Sequence, residues 1–110
     1  MASDPSIIQR VAQAGRITWR YHALRRARER GITRDHAVRV MIDGEIIEER
    51  PRAKPYPKYL LMAPMEGNRP LYVALGYDRA NERIYVITVH WLDPRLWEDP
   101  WTRRKRRKKP

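Results

Sequence analysis

His22, Arg26 and Arg30 are the residues of this chain best placed to do chemistry. They lie four apart in the segment Tyr21 to Ile32, YHALRRARERGI, so on a helix they stack one turn above another along one face. Like charges stacked this way repel, and a helix selected for stability alone would interleave acids; this segment holds one, Glu29. The row suits a phosphodiester. Guanidiniums grip phosphate oxygens at two points, and the imidazole at the end of the row can take or release a proton near neutral pH. Chemistry at a phosphate asks for such a set: groups that take and return a proton, and cations for the phosphate charge. His22 is the acid–base candidate, with Arg26 beside it in the catalytic set and Arg30 as a phosphate contact. The alternative is structural, with Arg26 or Arg30 paired to Glu45, Glu48 or Glu49 so as to orient the helix.

A second set comes from the apolar runs. His90 ends the last of them, ITVHW, where a side chain at the mouth of a sheet reaches solvent and ligand together. Tyr72, in RPLYV, can also handle a proton, although a tyrosine in an apolar run is more often core than catalyst. Alternation puts Tyr72, Ala74 and Gly76 on one face of their strand, and Thr88 and His90 on one face of theirs; register decides whether the two faces coincide. Lys58 and Arg69 begin strands, where a cation contacts phosphate or guards a sheet edge against pairing. Tyr56, Tyr59, Tyr77 and Trp91 offer surfaces on which bases stack, or else fill the core of a protein that has four Trp and no Phe. His36 reads as a surface residue of the third helix. The three His are far apart in sequence, no His-x-x-x-His or Asp-x-Asp pattern occurs, and no Gly-rich phosphate loop is present. Neither a metal nor a nucleotide cofactor is expected.

The positions of these residues depend on a chain of 110 residues, enough for one domain with one core. The formal net charge is +11, and seven of those charges form the run Arg103 to Lys109; removing them leaves +4 for the rest. A polar, self-repelling run predicts a disordered tail over residues 102–110, after a single domain over 1–101. Both parts point to a polyanion, with Arg103, Arg104, Lys105, Arg106 and Arg107 as further RNA contacts. An acidic protein partner, or an Arg-rich ion-pair surface of the thermophile kind, would carry similar charge. With no Cys, disulfides and thiolate zinc sites are excluded. No apolar run is long enough to cross a membrane, and the first ten residues, MASDPSIIQR, lack a signal-peptide layout, so a cytoplasmic protein is expected.

Helical spacing predicts a short helix capped by Asp4 or Ser6 and running to Ala14, a second over Arg20 to Arg30 ended by Gly31, and a third from Arg34 to Ile42, capped by Thr33 and closed by Gly44. From Glu45 the period changes to that of strands: EIIEER, KYLLMAPM, RPLYVALGY and ERIYVITVHW. The Pro-broken PRAKPYP, then Glu66-Gly67-Asn68, then Asp78 to Asn81 separate them. Asp93 to Trp101 reads as a turn or single helical turn that folds its tryptophans back. The expected architecture is α+β, with N-terminal helices on a four-stranded antiparallel sheet.

The ordered series HA-x-x-R-x-x-x-R-G-I, GEIIEE, the Pro-Tyr-Pro connection, RPLYVALGYD and IYVITVHW resembles the prokaryotic family called domain of unknown function 4258, over about residues 17–93. Members of that family resemble toxins of the RelE and ParE superfamily and its MqsR and BrnT branches. The resemblance implies a RelE-like fold, RNA cleavage (often of ribosome-bound messenger RNA), and inhibition by an antitoxin, in some cases a small zinc-finger protein of the YgiT kind. Relatives often carry His where this chain has Tyr72 and Tyr where it has His90, so the two sites look exchanged. A non-catalytic module binding nucleic acid or protein on the same fold is the other functional reading.

Overall fold

Apolar residues at helical spacing build three helices in the first half of the chain; the computed structural model describes residues 5–92, 97–99 and 103–104. Helix α1 (Pro5–Gln13) starts on a proline, which loses nothing there because the first-turn N–H groups lack helical partners anyway. Its Ile8, Val11 and Ala12 are buried. Helix α2 (Tyr21–Glu29) buries only Ala23 and Ala27. It stops at Gly31, whose φ of 68° lets the chain reverse: the Gly31 N–H bonds the Arg28 carbonyl at 3.3 Å and the Ile32 N–H bonds that of Ala27 at 2.8 Å. Buried Ile32 then closes the turn over the core. Helix α3 (Arg34–Asp43) buries Ala37, Val40 and Met41.

Five strands form one sheet in the order β1-β5-β4-β3-β2. Strands β2 (Glu45–Arg50), β3 (Lys58–Pro64), β4 (Pro70–Asp78) and β5 (Arg83–Trp91) make the expected antiparallel meander. The four-stranded antiparallel expectation is corrected by β1 (Ile17–Trp19), which joins parallel to β5, with Ile17 opposite Ile84 and Trp19 opposite Val86. Three residues are too few to show alternation, and a parallel partner more than sixty residues away leaves no local signal. Arg16 fastens this edge, donating to the carbonyl of Glu82 at 2.9 Å and that of Asn81 at 2.7 Å. The sheet is therefore mixed, and the fold is α+β.

The three helices cover one face of the sheet. Their buried residues share a core with Tyr59, Leu61 and Ala63 of β3, Leu71, Val73, Leu75 and Tyr77 of β4, and Ile84, Val86 and Val89 of β5. Burial of each large aliphatic side chain contributes about 1.5–3 kcal/mol, so this layer holds the helices in place. The other face is organised round Met62 and Tyr72, with Ile47, Leu60 and Leu92 packed against them. A bulge in β5 decides which residues go where: Ala74 faces Thr88 and Leu75 faces Val86, leaving Ile87 as the extra residue. Strict alternation from Ile84 and Val86 would turn Thr88 and His90 toward the helices; the bulge turns Val89 inward and His90 outward.

Beyond the main sheet, β6 (Trp97–Asp99) pairs antiparallel with β7 (Arg103–Arg104). Residues 97–99 are thus a strand rather than the helical turn expected within Asp93 to Trp101. Of the expected disordered tail, Lys105, Arg106 and Arg107 lie outside the described residues. Among the described residues no helix is long and apolar enough to cross a membrane.

Candidate functional site

Because α2 rests on two alanines, its remaining surface is open: Tyr21, His22, Arg25, Arg26, Arg28, Glu29 and Arg30 are all exposed. His22 stands in the first turn, its ring edge-on to that of Tyr21 with centroids 5.8 Å apart. Arg26, one turn on, reaches Glu29 at 3.7 Å in a pair whose two side chains are 60% and 49% exposed. A pair that long and wet holds Arg26 weakly, leaving it able to turn to another anion.

Arg30 is held differently. Where β1 ends, α2 takes over along β5: the Arg20 N–H approaches the Val86 carbonyl at 3.5 Å, and the Arg30 guanidinium donates to the Val89 carbonyl at 2.6 Å. In return the Trp91 indole N–H donates to the Arg30 carbonyl at 2.8 Å. These bonds lock the end of α2 to the end of β5. The structural alternative therefore holds for Arg30 in altered form, with a backbone carbonyl as the partner in place of Glu45, Glu48 or Glu49.

Trp91 gathers residues that are distant in sequence. The Arg69 guanidinium lies 4.0 Å from its ring centroid, and His36 meets it edge-on at 6.2 Å. His36 is more than a surface residue, since it completes the cap of α3: the Thr33 N–H donates to its Nδ1 at 3.2 Å, while its own N–H donates to Thr33 Oγ1 at 3.1 Å. That acceptor role puts the proton of the neutral ring on Nε2. Arg30, His36, Arg69 and Trp91 thus meet at one end of the molecule. The sequence signal for this convergence was faint: a cap residue and a tryptophan, each readable as structural.

Tyr72 and His90 face each other across β4 and β5, and their rings stack with centroids 5.2 Å apart. The two faces left open by alternation therefore coincide. Tyr72 has no exposed surface, however, so its hydroxyl meets no substrate as the chain is folded; it is part of the small second core. His90 is half-buried above it. The proposed catalytic residues accordingly divide between the faces of the sheet: His22 and Arg26 on the helical side, Tyr72 and His90 on the other. Lys58 starts β3 opposite Gly76 and is exposed, but β3 is an interior strand, so edge protection is not its role. Arg103 and Arg104 lie in β7, apart from the main sheet's strands.

At the far end of the sheet, Tyr56 stacks on Tyr85 with centroids 5.2 Å apart. Asp78 there binds the β4–β5 turn, accepting from the Asn81 side chain at 2.8 Å and from the Asn81 N–H at 3.2 Å. These bonds, the side-chain one foremost, hold the Asp78 carboxyl below the ordinary carboxylate range. Burial, and then the charge of Asp78, push the Tyr56 phenol above its ordinary value. This cluster pins the Pro-rich connection to the sheet and is structural. Among the described residues no group of three or more His, Asp or Glu is placed to hold a metal ion.

Comparison with curated proteins gives no match. The conserved-domain comparison does: residues 19–91, which include all of α2, α3 and the meander, match one family throughout. The chain belongs to the family described as Domain of unknown function (DUF4258).

Proposed function

We propose that this protein is a small toxin-like endoribonuclease that holds RNA along α2 and cleaves it without a metal. The observation that supports this most is the open face of α2: an imidazole and a row of guanidiniums, with only Glu29 as counter-charge, all exposed. In this reading His22 takes the proton from a ribose 2′-hydroxyl, and the freed oxygen attacks the adjacent phosphorus. Arg26 leaves its weak pair with Glu29 to bind the phosphate oxygens, which gain charge as the new bond forms. The bond from phosphorus to the 5′-oxygen breaks, and the imidazolium returns its proton through water to that oxygen. A 2′,3′-cyclic phosphate and a 5′-hydroxyl result. Tyr72 and His90 take no part.

The resemblance to RelE- and ParE-type toxins supports the same reading and brings a partner, a cognate antitoxin that would cover α2, in some relatives a small zinc-finger protein. The basic segment Arg103 to Lys109 would add sequence-independent grip on RNA. The test is incubation of the purified protein with messenger RNA, with and without ribosomes, followed by end-group mapping. Cleavage should leave cyclic phosphate ends, persist in chelator and stop when the nucleotide 5′ to the cut is 2′-deoxy. His22→Ala and Arg26→Ala should each abolish it while the fold survives; full cleavage by the folded double variant would remove α2 from the mechanism.

One observation favours a second reading. No second candidate proton carrier of the four faces the α2 row, because Tyr72 is buried and His90 is on the opposite side. A non-catalytic RNA-binding module needs no such group. It would show salt-dependent binding with no products under every condition above.

A further inference from the structure

Tyr21 is the one large apolar side chain among the described residues that stands out in solvent, at 72% exposed. An exposed aromatic needs a reason where the other seven residues from Arg20 to Arg30 that are not alanine or leucine are all charged or polar. Here the reason lies in its row. Tyr21, Arg25 and Arg28 fall at i, i+4 and i+7, a second line on α2 beside the line of His22, Arg26 and Arg30. All six side chains are exposed. One line ends in an aromatic ring, the other in an imidazole, and the two rings touch edge to face at 5.8 Å.

We infer that Tyr21 is a stacking platform for an unpaired nucleobase of a single-stranded polynucleotide lying along α2. The cations of α2 set the charge of the occupant, and the ring sets its kind. A duplex would meet the ring with its phosphates, because paired bases hide their faces inside the stack. An unpaired base offers a flat partner to the ring while its own phosphates lie against cations. A base stacked on Tyr21 also brings its ribose beside His22, the side chain edge-on to that ring. The inference deepens the RNA reading of α2 and selects single strands, but it does not require that the RNA be cut.

The experiment measures binding by fluorescence anisotropy, using a labelled 2′-O-methyl oligouridylate, which cannot be cleaved through its 2′-oxygen, and the same strand annealed to oligoadenylate. Tyr21→Ala should weaken single-strand binding by between about fivefold and a hundredfold, the range for loss of one aromatic stack. Duplex affinity should stay within about twofold, since phosphate contacts are untouched. Tyr21→Phe should bind like the parent, and an oligodeoxyuridylate should show the same pattern, because stacking does not read the sugar. Unchanged single-strand affinity in Tyr21→Ala, an equal loss on the duplex, or a loss in Tyr21→Phe as large as in Tyr21→Ala would each overturn the inference. Tyr21 is exposed, so both variants should keep the parent melting curve. If the stacking pattern holds and no RNA is cut, the nuclease reading falls and this one stands; cleavage that ignores Tyr21→Ala gives the reverse.

Discussion

Helices α2 and α3 are neighbours of nine and ten residues, and they were built for different ends. Helix α3 buries Ala37, Val40 and Met41, carries a two-way cap between Thr33 and His36, and ends on Gly44 pressed against β3. A methyl group at Gly44 would meet the carbonyl oxygens of Val40 and Met62. Helix α2 buries two alanines, has no side-chain cap, and exposes its charge. Its anchors are at its end, through Arg30 and Trp91, and at its start, through the backbone of Arg20. The lesson is a division of labour: α3 holds the fold, and α2 is held by it with its outer surface open to solvent.

That contrast can be broken by mutation, and the largest effect should be functional. His22→Ala should lower cleavage by about 10²–10⁴-fold, the usual contribution of a general acid or base, with the melting temperature unmoved. A stability loss of similar size would put His22 in the scaffold and erase the contrast. Next comes Gly44→Ala, which has to push two backbone carbonyls apart; roughly 1–3 kcal/mol should be lost in denaturant unfolding. Thr33→Ala should cost about 1 kcal/mol, since it removes the cap of α3 and leaves cleavage intact. Arg26→Ala is the smallest in stability, within about 0.5 kcal/mol, because its ion pair is exposed.

A control outside both helices sharpens the comparison through pH. The Asp78 carboxyl is held below its ordinary range, so between the ordinary and the lowered value the folded state binds fewer protons than the unfolded state. The stability it contributes is present above the ordinary aspartate range and is lost as pH falls through the lowered one. Acid titration of unfolding should therefore show a loss of stability that Asp78→Asn reduces, while Thr33→Ala and Arg26→Ala leave that slope alone. An unchanged slope in Asp78→Asn would show that the Asn81 bonds add nothing to that loss.

Most of the helices and the meander were legible because their signals are local. Thr33 before an apolar-periodic run marks a helix start, Gly31 and Gly44 mark stops, and β-branched runs between turn residues mark strands. The row of His22, Arg26 and Arg30 was legible for the same reason, since helical spacing alone puts three residues on one face. Its partners were not. Arg30 bonds a carbonyl fifty-nine residues away, and Arg69, His36 and Trp91 meet only because four separate elements end at the same place.

Composition and spacing by themselves determined that this is a basic α+β chain with a cation-lined second helix, because net charge, helical period and strand alternation are properties of neighbouring residues. The tertiary structure alone decided that β1 pairs parallel with β5, and that Tyr72 and His90 stack together on the side of the sheet away from α2. Both depend on register between distant segments, and register turns on a single residue. The extra Ile87 in β5 shifts every later side chain to the opposite face, and nothing local in ITVHW announces it.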